Sequence, residues 1–185
     1  MIERTMLLAA TAVALAGGAM AKDCVLAENG RSGCKVVVPA NVSPTVAYAA
    51  RELALFLKEQ TGAEVGCATN STDGVGVWLE ETSKGKDDSF RVMVDARGVH
   101  VSGNARGVLY GVYEILRRFG GCEWYAPNVQ TIPKLDRFAV PEGTDFSCRP
   151  AFLVRETSWW ELRNNPSFAL RRRMNGQGVL RMQSV

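Results

Sequence analysis

A two-layer α/β (α+β) sandwich with a mixed sheet and two main helices is the fold this sequence predicts, and three observations predict it. Two segments repeat apolar residues at three- and four-residue steps; short β-branched or aromatic runs lie before, between and after them; polar or glycine-bearing turns separate the runs. The order is strand, helix, several strands, helix, strands.

The first run, residues 34–38, is β-branched and ends at Pro39, so it reads as a strand leaving into a turn. A helix follows at once. Ser43 is suited to its N-cap, Pro44 sits at the first helical position where a missing N–H is harmless, and Gly62 closes it. Val46, Ala49, Ala50, Leu53, Phe56 and Leu57 form its apolar face, which places Arg51, Glu52, Lys58 and Glu59 largely outside. Residues 65–69 and 75–80 read as strands around the polar turn 70–74. Residues 90–95 and 99–102 follow, joined by Ala96-Arg97-Gly98, a linker of hairpin length.

The second helix is the most informative stretch. Val108, Leu109, Val112, Ile115, Leu116 and Phe119 form one stripe, Asn104 is placed to cap its start, and Gly120-Gly121 ends it. Arg117 and Arg118 lie in the last turn, where cations complement the helix dipole. Gly107 and Gly111 each cost a helix about 1 kcal/mol against Ala, which points to close packing against the backbone there. Residues 122–125 and 138–140 read as further short strands.

Residues 1–21 have the pattern of a secretory signal peptide. A short charged start with Glu3 and Arg4 leads to an apolar run and then Ala19-Met20-Ala21 as a small-x-small cleavage site. The run is shorter than the roughly 20 residues of a membrane span, and Lys22-Asp23 before Cys24 argues against lipid attachment, so no stable membrane anchor is expected. A secreted or periplasmic location follows. A net charge of +3, from 22 basic and 19 acidic residues, does not suggest nucleic acid as a partner. The five cysteines lack zinc-site spacing, and both bridged and reduced states are compatible with them. No metal or cofactor is expected.

Residues 141–145 read as a linker that closes an accessory domain spanning 22–147. Residues 148–185 then read as the truncated start of a β/α barrel, too short for a core of their own, with residues 151–155 as its first strand. A run of three arginines, Arg171-Arg172-Arg173, reads as a solvated helix face.

Candidate chemistry is sparse. His100, the sole histidine, alternates with Val99 and Val101 and is expected at an exposed or edge position. Glu80-Glu81 and Asp87-Asp88 read as solvated loop charge, since strand neighbours point to opposite faces. Gly103 and Gly107 lack the spacing of a nucleotide-binding loop. The tail is more suggestive. Arg155, Glu156, Trp159 and Trp160 put a cation, a carboxylate and two indoles just beyond a predicted strand, a set able to stack on sugar rings and bond hydroxyls. The indoles are equally suited to filling an interdomain seam.

Three stretches carry a family resemblance: residues 36–57 with Thr61-Gly62-Ala63, residues 101–116, and Trp124-Tyr125-Ala126-Pro127 with Ile132-Pro133. Together they resemble the N-terminal α/β domain of bacterial alpha-glucuronidase-like proteins, a domain that also precedes the barrels of family 67 alpha-glucuronidases, beta-hexosaminidases and a group of unknown function. The resemblance implies a non-catalytic accessory domain of a secreted glycoside hydrolase, with polysaccharide or oligosaccharide bound by a barrel whose catalytic carboxylates lie on later strands. It carries no catalytic residue onto this chain. It transfers Arg155, Glu156, Trp159 and Trp160 as substrate-pocket residues, and it implies that this chain alone is inactive. The alternative is a free-standing carbohydrate-binding or protein-interaction module.

Overall fold

The computed structural model describes residues 22–82 and 85–176, so the signal-peptide segment lies outside the described residues. Eleven strands and four helices are formed there: β1 (Asp23–Glu28), β2 (Arg31–Ser32), β3 (Lys35–Val38), α1 (Pro44–Thr61), β4 (Cys67–Thr69), β5 (Gly76–Glu81), β6 (Phe90–Asp95) and β7 (Gly98–Gly103) come first. After them come α2 (Ala105–Gly120), β8 (Glu123–Ala126), β9 (Val129–Thr131), β10 (Arg137–Pro141), β11 (Asp145–Cys148), α3 (Trp160–Asn164) and α4 (Pro166–Arg171).

Six strands make the main sheet, in the order β11-β6-β7-β5-β3-β4. β7, β5, β3 and β4 run parallel, while β6 and β11 join antiparallel at one side, giving the mixed α/β architecture the periodicities predict. Alternation decides the faces. Val77, Leu79, Val92, Val94, Val99 and Val101 are buried with α1 and α2, whereas Arg91 and Met93 point away and are exposed. A smaller sheet, β10-β1-β2, packs on both helices and adds Leu26, Phe138 and Val140 to the same core. Each fully buried Leu or Phe of that core contributes roughly 1.5–3 kcal/mol by leaving water.

The helix boundaries follow local chemistry. Asn104 Oδ1 accepts from the Gly107 N–H at 2.6 Å, and Gly62 and Gly121 close the two helices in the left-handed conformation. Ser43 differs from expectation: it stands at the N-cap of α1 with extended backbone, yet its hydroxyl makes no capping bond. Gly107 and Gly111 do what their positions implied. A Cβ on Gly107 would lie 2.2 Å from the Ser89 carbonyl oxygen, and one on Gly111 would lie 2.5 Å from Val101 Cγ1, so α2 rests directly on the sheet.

Three readings of the sequence need correction here. Residues 141–145 are not an irregular stretch: Pro141 ends β10, a turn follows, and Asp145 opens β11, which extends the main sheet against β6. The reading failed because Pro, Gly and Asp mark a tight turn as readily as a linker. Residues 151–155 form no strand. No strand among the described residues offers them a ladder, and their backbone is held instead by side chains, with Asn175 Nδ2 donating to the Leu153 carbonyl at 2.7 Å and Arg155 Nη1 to the Phe152 carbonyl at 2.8 Å. Thus no barrel strand exists among the described residues after β11, and no closed barrel is formed.

His100 is the third correction. It lies on β7, inside the sheet, where its ring stacks on Trp78 with centroids 4.6 Å apart and Nε2 lies 3.3 Å from Asp95 Oδ1. An aromatic neighbour on the adjacent parallel strand covers it, which one strand's alternation cannot reveal.

Candidate functional site

Three carboxylates are buried among the described residues, and the segment after β11 reaches each of them with an arginine. The most enclosed is Asp88, which has no exposed surface. Its Oδ1 accepts from Arg106 Nε at 2.9 Å and Asn104 Nδ2 at 3.1 Å. Its Oδ2 accepts from Arg155 Nη2 at 2.7 Å and Asn175 Nδ2 at 2.8 Å. Burial by itself raises the carboxyl's pKa, but the bonds from Arg155, Arg106, Asn104 and Asn175 outweigh it and hold the group below its usual 3.8.

Glu52 is the second. It lies three residues after Ala49 and four before Phe56, on the inner face of α1 rather than outside it as the charge pattern suggested. Arg171 Nε donates to its Oε2 at 3.1 Å, and the Tyr113 hydroxyl donates to the same oxygen at 2.9 Å. Burial and the adjacent Glu52 charge push the Tyr113 hydroxyl far above its ordinary pKa, so it remains a donor. Glu114, the third, is bound by Arg117 Nη2 at 3.0 Å and by Arg118 and Arg173.

These contacts correct two sequence readings. Asp88 is not solvated loop charge. Arg171-Arg172-Arg173 is not a solvated face: α4 ends at Arg171, and the turn after it directs Arg171 and Arg173 into the protein. A charge run takes its environment from whatever packs against it, and these partners lie about 59 to 119 residues away in sequence.

Of the four predicted site residues, Arg155 and Glu156 share the wall of one small hollow, and Trp159 and Trp160 lie outside it. Arg155 is committed to structure: besides Asp88, its Nε donates to the Arg173 carbonyl at 2.7 Å, and its guanidinium lies 5.6 Å from the Tyr110 ring. Glu156 is exposed and packs against Gly176. Trp159 stands at the N-cap position of α3 and meets Phe168 edge-on at 6.3 Å, while Trp160 is 71% exposed. The structure therefore does not bring the four into one pocket. Phe152, Leu153 and Val154 are also well exposed, so apolar surface collects along this segment.

Glu114 and Tyr113 were not singled out from sequence, and Glu52 and Arg173 were read there as solvated. The spacing of Glu52 on the inner face of α1 was an available signal, as was Glu114 at three and four residues from Arg117 and Arg118. Among the described residues, no group of three or more His, Cys, Asp or Glu is arranged to hold a metal ion, and no helix is long and apolar enough to cross a membrane. All five cysteines are free thiols.

No family model matches the sequence, and no curated protein sequence matches it. Solved structures do. A family GH115 4-O-methyl-alpha-glucuronidase with specificity for decorated arabinogalactans superposes with a TM-score of 0.61 at 19% identity, over 78% of this chain and 24% of that one. A mutant beta-hexosaminidase from Streptomyces plicatus gives 0.51 at 15% identity, over 83% of this chain and 30% of that one. Chitobiase from Flavobacterium johnsoniae gives 0.50 at 18% identity, over 77% and 21%. The structural neighbours are thus glycoside hydrolase domains. At these identities the relationship is one of fold, and this chain spans 21% to 30% of the length of the proteins it matches.

Proposed function

We propose that this chain is a non-catalytic accessory α/β domain of a secreted, glycoside-hydrolase-like protein that acts on polysaccharide, with catalysis carried by other parts of that protein. The observation that carries the reading is the state of the buried acids. Glycoside hydrolysis needs two carboxyl groups facing a common space, one free to give a proton and one free to attack or activate water. Asp88, Glu52 and Glu114 are each held by arginine and by further donors, an arrangement that locks a fold together rather than one that exchanges protons.

The fold likeness to about a quarter of a 4-O-methyl-alpha-glucuronidase supports the same reading. So does the exposed apolar surface of Phe152, Leu153, Val154 and Trp160, which offers the remainder of such a protein a surface to pack on. An alpha-glucuronidase-like parent is the finer form of the proposal.

The full chain, purified and incubated with aryl glycosides and a polysaccharide panel, is expected to release no sugar. Calorimetry against the same neutral glycans should give no saturable heat. Turnover by the chain alone would refute the accessory reading, and tight binding of a neutral glycan that is lost in Trp160→Ala would favour the binding-module alternative.

A further inference from the structure

Residues 149–176 are bonded chiefly to themselves. Among the described residues, every main-chain N–H of this segment that donates to a main-chain carbonyl finds it within the segment: Ala169 on Asn165, Arg172 on Phe168, Met174 on Ala169 and Asn175 on Arg155. Asn175 closes the loop. Its N–H donates to the Arg155 carbonyl at 3.0 Å, its Oδ1 accepts from the Arg155 N–H at 2.7 Å, and its Nδ2 donates to the Leu153 carbonyl at 2.7 Å. Arg155 Nε adds a bond to the Arg173 carbonyl at 2.7 Å. Two stretches twenty residues apart are thus fastened to each other, the wiring of an Ω-loop, whose ends meet and whose own contacts hold it.

The join to the sandwich is of another kind. No described residue of the segment enters a sheet, and side chains carry the polar contacts: Arg155 and Asn175 to Asp88, Arg171 to Glu52, Arg173 to Glu114, and the Tyr110 hydroxyl to the Met174 carbonyl at 3.0 Å. The apolar seat is small. α4 buries Phe168, Ala169 and Leu170, while α3 buries no residue. Charges seated in the interior give up hydration, and separation returns it, so the pairs oppose opening less than an apolar seat of equal area. Such a boundary, around a segment bonded within itself, marks a unit that opens below the cost of unfolding the whole.

We infer that residues 149–176 form a strap across α1, α2 and the start of β6 that opens and reseats as one cooperative unit while the sandwich stays folded. Asn175 supplies the cooperativity. Its side chain bonds Asp88 together with the strap's own Leu153 and Arg155, so the latch and the clasp are lost together. Opening bares Asp88, Glu52 and Glu114 to water. The inference is independent of the accessory-domain reading, because it concerns elements that this chain itself contains.

Hydrogen exchange on the full chain, followed amide by amide by NMR, tests the strap. The N–H groups of Ala169, Arg172, Met174 and Asn175 are expected to share one protection factor, at least about tenfold below that of the central amides of α1 and α2. Arg173→Gln removes one latch but leaves Glu114 with Arg117 and Arg118, so the sandwich gains no unpaired carboxylate. It should speed exchange of those four amides about tenfold and leave α1 and α2 unchanged. Four amides that open only at the rate of α1 and α2, that have unrelated rates, or that have no protection overturn the inference. So does an Arg173→Gln variant that leaves the strap unchanged or loosens α1 and α2 equally.

Discussion

Arg155 Nη2 donates to Asp88 Oδ2 at 2.7 Å, joining a guanidinium from beyond β11 to a carboxylate with no solvent exposure near the start of β6. Sixty-seven residues separate the two in sequence. Removing the acid deprives Arg155 and Arg106 of their carboxylate at once, so Asp88→Ala is expected to cost about 3–5 kcal/mol, the range for breaking a buried pair by one partner. Urea unfolding measures this, and a loss under about 1 kcal/mol would show the cluster to be dispensable.

The same carboxylate sets a pH response. Its folded-state pKa is held below 3.8, so the stabilisation it provides is fully present above the unfolded value and is lost as pH falls through the folded one. Stability should therefore decline below about pH 4, and the decline should be shallower in Asp88→Asn. Parallel slopes for the two proteins between pH 4 and 2 would remove Asp88 from the account.

Gly107→Ala tests the seating of α2. Helix propensity favours Ala by about 1 kcal/mol, but the new Cβ would fall 2.2 Å from a backbone oxygen, Ser89 O, which has no rotamer to change. The net expectation is destabilisation by about 1–3 kcal/mol and a lower Tm. A higher Tm would mean that the helix can lift from the sheet without penalty.

Tyr113→Phe removes the hydroxyl that donates to Glu52 and leaves Arg171 as its charged partner. A loss of about 1–3 kcal/mol is expected in chemical denaturation. Restoring full stability with a second change, Glu52→Gln, would contradict the charge-pairing role assigned to Glu52.

The thiols offer a check without mutation. Cys67 is exposed, whereas burial pushes the Cys34 and Cys122 thiols up to about 12, leaving little thiolate at neutral pH. A disulfide reagent should label Cys67 rapidly in the native chain and reach Cys34 and Cys122 only after denaturation.

Periodicity made both long helices and five of the six strands of the main sheet legible, because one apolar stripe or one alternating face is a property of a single segment. The caps at Asn104, Gly62 and Gly121 and the close packing of Gly107 and Gly111 were legible for the same reason. β11 and the irregular path of residues 151–155 were not. Whether a short apolar run becomes a strand depends on a neighbour's free edge: β6 supplies one to β11, and nothing among the described residues supplies one to residues 151–155.

By itself, then, the sequence determined the class of fold, the placement of its two main helices and the apolar faces those helices bury. Only the tertiary structure decided the fate of the charges. Asp88, Glu52 and Glu114 are buried, and Arg155, Arg171 and Arg173 are taken up by them, because ion pairing joins side chains by proximity in space and leaves no period along the chain. Arg172 sits in the middle of the same three-arginine run and meets no carboxylate among the described residues for that same reason.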